Sequence, residues 1–263
     1  NNGVVNCNLK YNFSKNFTND GEFKSQDVMF VGNNDHIFKT LNQNYVNFTS
    51  KLHSVEGKVV AGSDLYLTSN MNDFVVKELD LSSGFDLHAK NIRIGSDYYT
   101  SQYGFRTKII GNGNKIFFND NLPIDQYFFQ SCDLYDVTLM GNTYINSNVK
   151  FYGEVINGDS LFTSVGTGRW VVGVEGNFTN NGYVNCNLKL EFHKNLKNFG
   201  YFKSGEANFI GTDNQYIIFE QPITSDIDFR AMTGTATYQW QKDGVDISEA
   251  TTQTLTFNRG ITS

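Results

Sequence analysis

The sequence predicts an all-β chain: a parallel β-helix, or β-solenoid, over residues 1–230, with a different β segment over 231–263. Three observations carry this. The decapeptide NNGVVNCNLK at Asn1–Lys10 returns as NNGYVNCNLK at Asn180–Lys189. Apolar and polar residues alternate with the period of a half-buried strand, and no sustained i, i+3, i+4, i+7 stripe occurs. The strand-like runs are short and are closed by Asn-Gly, Asn-Asp, Gly-Ser or Ser-Gly pairs, which favour tight turns.

Taken in order, the first element is the repeat itself. Phe13, Lys15, Gly21, Phe23, Phe30 and Gly32 recur as Phe192, Lys194, Gly200, Phe202, Phe209 and Gly211, at one fixed offset and with no gap. Internal repetition of this kind is the signature of stacked units that cannot bury their apolar face alone. A second landmark joins the halves: MFVGNNDHIF (Met29–Phe38), KIIGNGNKIF (Lys108–Phe117) and NFIGTDNQYI (Asn208–Ile217). In each, apolar residues lead to a glycine, polar turn residues follow, and the chain becomes apolar again. The glycines are Gly32, Gly111 and Gly211, spaced by 79 and 100 residues. The extra 21 residues match one added turn of a solenoid, whose repeats run upward from about 20 residues. Between the landmarks, Leu65 and Leu67, Leu79 and Leu81, Leu87 to Ile94, Val149–Val155 and Leu188–Leu196 keep the strand period. Stacked turns would line these strands into parallel sheets, with right-handed crossovers as the rule for parallel connections. Phe, Leu, Val and Ile would point inward. Asn at inward turn positions would bond to the Asn above and below.

Composition bounds the function. The 263 residues are 39 % hydrophobic and 15 % aromatic, with 23 Phe and 14 Tyr, ample for an ordered core. Net charge is −6 with both signs interspersed, so the basic face of a nucleic-acid binder is absent. No apolar run is long enough to span a membrane. Cys7 and Cys186 occupy the same repeat position and would lie in distant turns, beyond the roughly 7 Å reach of a disulfide. With Cys132 they read as small apolar residues, and no C-x-x-C spacing suggests a metal.

The stretch GNFTNNGYVNCNLKLEF…NFIGTDNQYI (Gly176–Ile217) resembles the repeats of very large surface proteins of Bacteroidetes. GSDLYLTSNM (Gly62–Met71), LDLSSG (Leu79–Gly84) and LYDVTLMGNTYINSNVKFYGEV (Leu134–Val155) fit later parts of such repeats. The tail resembles the immunoglobulin-like modules of the same proteins, carried by Tyr238, Trp240, Lys242, Asp243, Gly244 and Ile247. Cys7 and Cys186 depart from the small polar residues usual there. The resemblance implies a secreted, extracellular cell-surface adhesin, exported by the type IX route and in some cases used in gliding. It also implies that 231–263 begins an immunoglobulin-like sandwich and leaves it incomplete, so that the chain reads as an excerpt of a longer protein. Partners would be surface or glycan ligands, neighbouring modules, or copies in a filament.

Chemistry is sparse. A β-helix acting on polysaccharides needs carboxylates, or a Lys or Arg base beside calcium, gathered on one outer face. The acids Asp73, Glu78, Asp80, Asp86, Asp120, Asp125, Asp133 and Asp136 recur in no fixed pattern and read as a solvated surface, which argues against an enzyme. His36, His53, His88 and His193 show no ligand spacing. Asp35 in GNNDH and Asp213 in GTDNQ put oxygen donors in tight loops, which suits calcium. Turn chemistry accounts for the same residues. Tyr98, Tyr99, Tyr103 and Tyr127 mark an aromatic cluster that could stack on sugar rings or simply cap the coils. The rival readings are a carbohydrate-binding or carbohydrate-active β-helix and a phage or virion fibre. Three or more charged side chains converging in one groove would favour the first of these.

Overall fold

Alternation becomes strand throughout. The computed structural model describes residues 1–95, 105–118, 127–129, 132–145, 147–163, 170–220, 227–231, 239–242 and 245–257, and every regular element in them is a β-strand. A 17-stranded and a 12-stranded sheet account for all but one short hairpin. The larger sheet turns a corner. Its strands Glu22–Phe30, Val46–Ser54, Leu65–Val76 and Leu87–Ile94 run through the bend, and all three junctions between them shift register there, as between Ser25 and Asp27. The result is a three-faced parallel solenoid. Each turn contributes one strand, or one half of a bent strand, to each face, and each pairs in parallel with the turn before and after. Neighbouring turns are 17 to 35 residues apart, as in Asp133↔Lys150 and Arg93↔Phe128. On the third face eleven strands, from Phe17–Asn19 to Ile227–Ala231, stack in parallel. At about 4.8 Å per strand this is a rod about 50 Å long.

The core is a hydrocarbon column with rungs of amide. Phe30, Phe38, Phe48, Phe74, Phe151 and Phe192 are wholly buried. Within it the expected asparagine ladder is present. Asn157, Asn180 and Asn198 point inward from successive turns of the first face. Asn157 Nδ2 donates to Asn180 Oδ1 (2.7 Å), and Asn180 Nδ2 donates to Asn198 Oδ1 (2.6 Å). Each Nδ2 also reaches a carbonyl two residues ahead, which folds the chain at the corner. A neutral amide both donates and accepts, so it satisfies itself in the interior without the desolvation cost of a charge. The corner leaves no room for more: a Cβ on Gly200 would collide with the Gly182 carbonyl of the turn above.

The two repeat copies lie far apart along the axis. Val4–Asn6 belongs to the first turn of the first face, and Tyr183–Asn185 to the ninth turn of the second. They are separated by eight turns and one face, about 40 Å of stack. The landmarks behave alike. Gly32 closes the second face, whereas Gly111 and Gly211 close the third. From Gly32 to Gly111 is three turns and one face, and from Gly111 to Gly211 is five turns. The 21-residue difference is therefore not one added turn. Turn length varies, and the inward positions of all three faces make the same demand, so a repeat unit can slip by a face and stay buried.

The expected boundary at residue 230 falls inside the last parallel strand, Ile227–Ala231. Thr254–Phe257 returns to pair with that strand antiparallel, and Gln241–Lys242 pairs with Val245–Asp246 as a short hairpin. Trp240, partly buried, donates Nε1–H to the Thr252 carbonyl (2.9 Å).

Candidate functional site

The outward positions of the third face form charged columns. One runs Lys108, Asp133, Lys150, Gly173, Glu191, with one residue from each successive turn. The next runs Tyr135, Tyr152, Glu175, His193. Gly173 interrupts the first column. With no side chain there, the surface opens into a groove of about 410 Å³ whose floor is the Gly173 backbone. Arg106, Asp133 and Asn148 line one end, Glu191 and His193 the other, with Lys150, Tyr152 and Glu175 between.

The charges in the groove are paired. Arg106 Nε donates to Asp133 Oδ1 (2.7 Å), while its Nη2 donates to the carbonyls of Cys132 and Asn148. Lys150 Nζ lies 2.7 Å from Glu175 Oε1, and Lys189 Nζ lies 2.8 Å from Glu191 Oε1. His193 Nε2 stands 3.8 Å from the same Glu175 oxygen. The hydrogen bond from Lys150 holds the Glu175 carboxyl below its ordinary range, and the reciprocal bond raises Lys150. A glycosidic acid needs the opposite shift, a carboxyl kept protonated near neutral pH. The arrangement suits recognition through fixed acceptors and donors. Asp133 is nearly buried beneath Arg106 rather than solvated, which corrects its reading as open surface.

Other sequence candidates are dispersed. Tyr98, Tyr99, Tyr103, Asp120, Asp125 and Tyr238 lie outside the described residues. Tyr127 begins a second-face strand and pairs with Thr143. Asp35 and Asp213 are exposed in corners many turns apart, and Asp35 Oδ2 lies 3.7 Å from Lys58 Nζ. Among the described residues no three His, Cys, Asp or Glu side chains gather as a metal site. Cys7, Cys132 and Cys186 are free thiols. The histidines do separate jobs. His36 is buried at the corner, with its ring nitrogens on the carbonyls of Lys15 (3.2 Å) and Gly32 (3.4 Å). His88 stacks between Tyr66 (4.4 Å) and Phe117 (4.6 Å) on the outside of the first face. Burial and the nearby Lys51 cation lower His53 to about 4.

No family model, curated protein or solved structure matches this chain. Among the described residues there is no helix long and apolar enough to cross a membrane.

Proposed function

We propose that this chain is a structural and adhesive segment of a large secreted cell-surface protein, serving as a stiff spacer or filament element in surface attachment or gliding. The observation that supports this best is the parallel stack of eleven third-face strands, from Phe17–Asn19 to Ile227–Ala231, among the described residues. Bending such a rod strains three ladders of backbone hydrogen bonds at once, and its length scales with the number of turns. The resemblance to Bacteroidetes surface repeats supplies the extracellular setting, type IX export and the immunoglobulin-like reading of the tail. Adhesion would then come from many weak contacts repeated along the rod.

Pulling single molecules from both ends tests the mechanical role. The expected trace is a series of steps, each releasing one turn. With 17 to 35 residues per turn, a step lengthens the chain by about 60–120 Å. One low-force event that releases the whole chain would reject the spacer. Antibody raised against the chain should also label intact cells; labelling only after lysis would reject the surface location.

The groove favours a second reading, carbohydrate binding, because three carboxylates and three basic side chains meet there. Release of reducing sugar from polysaccharides by the purified chain would shift the assignment to an enzyme.

A further inference from the structure

Most glycines in this fold have a local reason. A Cβ on Gly176, Gly182 or Gly200 would run into the backbone of the preceding turn. Gly173 has no such reason. It lies within the strand Val171–Val174, its φ is one that any L-residue adopts, and the nearest neighbour of an added Cβ would be Lys150 Cγ at 3.9 Å. Glycine weakens a strand by roughly 0.5–1 kcal/mol against alanine, and in a strand it often marks the close approach of a ligand. What the missing side chain leaves here is the groove. Fill position 173 and the floor rises between Lys150 and Glu191, its column neighbours.

We infer that the Gly173 groove binds an uncharged, hydroxyl-rich oligosaccharide. Charge decides the class. Asp133, Glu175 and Glu191 each already face a cation through one oxygen. A strongly anionic ligand would meet those carboxylates, and a cationic one would meet Arg106, Lys150 and His193. Either would have to break an ion pair at the groove. A neutral polyol breaks none. Its hydroxyls donate to the second oxygen of each carboxylate, and it accepts from the Asn148 amide, whose Oδ1 is already taken by the Val171 N–H (2.9 Å). The bare Gly173 floor admits the flat C–H face of a sugar ring. The volume of about 410 Å³ lies within the roughly 300–1,000 Å³ usual for ligand sites. Along the axis, polar side chains recur every about 4.8 Å, close to the length of one pyranose unit, so a linear chain would meet a new turn with each ring.

This rests on the adhesive reading for its biological setting, but its test is independent. The full chain would be titrated calorimetrically with neutral hexasaccharides (cello-, xylo-, manno- and laminari-series), with oligogalacturonate, and with chitosan oligomers. The expected result is saturable binding of at least one neutral series. Gly173→Val should weaken it at least tenfold, with a thermal midpoint unchanged or raised because valine suits a strand better than glycine. Should Gly173→Val fold poorly, Glu191→Gln decides, since it keeps the groove's shape and must also weaken binding. The inference is overturned if no neutral series binds, if only charged oligomers bind, or if the decisive variant binds as well as the parent. Those outcomes leave stepwise extension under force untouched, whereas failure of the spacer would appear in the force traces whatever the sugars do.

Discussion

The two copies of the repeat share residues and local bonds yet differ in burial. In both, an asparagine amide donates to an asparagine oxygen one turn on: Asn1 Nδ2 to Asn19 Oδ1 (2.9 Å) and Asn180 Nδ2 to Asn198 Oδ1 (2.6 Å). In both, the strand at the decapeptide pairs with the strand 18 residues later. Beyond that they diverge. Val5, Cys7, Tyr11 and Phe13 are partly exposed, and Val4 is 73 % exposed. The matching Val184, Cys186, Leu190 and Phe192 are buried. Among the described residues no strand lies over the first copy, while the second has Ser160–Thr163 and Val171–Val174 laid over it. The faces differ too, so the same residues serve the first face at one end and the second at the other. Burial in this molecule is conferred by the covering turn, and the local sequence only makes a residue fit to be covered.

The sharpest way to break this comparison is to remove the same ring from each copy. Phe192 is fully enclosed, 5.8 Å from the Phe178 ring and 5.3 Å from that of Phe209. Phe192→Ala should cost about 3–5 kcal/mol, the usual range for a buried phenylalanine. Phe13 touches the rings of Phe17, Phe23 and Phe30 but keeps a face open to water, so Phe13→Ala should cost about 1–2 kcal/mol. Urea melts of the two variants, followed by tryptophan fluorescence and far-ultraviolet dichroism, measure both. Equal costs would mean that local sequence, not coverage, sets stability.

A smaller difference should separate the two ladder asparagines. Asn180→Ala leaves one of the two N–H groups of Asn157 Nδ2, which keeps only the Asp159 carbonyl, without an acceptor, and takes from Asn198 Oδ1 its donor, both in the buried interior. Stranding two buried polar groups should cost about 2–3 kcal/mol. Asn1→Ala removes the equivalent rung at the open end, where water can replace it, and should cost under about 1 kcal/mol. The midpoint shifts of the two melts give the ratio, and a ratio near one would deny the ladder its structural role.

This comparison also marks what could be read in advance. The strand period of Leu65–Leu67 and Val149–Val155, and the recurring decapeptide, carried the parallel stack and the separation of its copies. The inward asparagines were legible because a neutral amide both donates and accepts, so asparagines stacked turn on turn can satisfy one another without a charge. The face shift was not, since a side chain's inward parity is the same on every face and residue counts between landmarks do not reveal varying turn lengths. The groove was hidden for a different reason. Asp133, Lys150, Glu175 and His193 are scattered over 61 positions and meet only because successive turns place them in adjacent columns. One local sign was present: the glycine inside WVVGVEG (Trp170–Gly176), at an outward position of an otherwise β-branched strand.

The smallest effect concerns the paired thiols, and it tests coverage without disturbing it. Cys186 lies under the neighbouring turn, and burial pushes its thiol up to about 12. Cys7, at the same repeat position, is partly exposed and has its Sγ 3.4 Å from the Tyr11 hydroxyl. Alkylation proceeds through the thiolate, so both access and ionisation protect Cys186. Cys132 is protected in the same way, since complete burial raises its thiol further still. In the native protein at pH 8, iodoacetamide should modify Cys7 at least about 100-fold faster than Cys186, with no change in stability. In concentrated urea all three should react alike, and peptide mass mapping over time distinguishes them. If Cys186 reacts as fast as Cys7 in the native protein, the ninth turn opens as readily as the first. The covering turn would then not be what shelters the second copy.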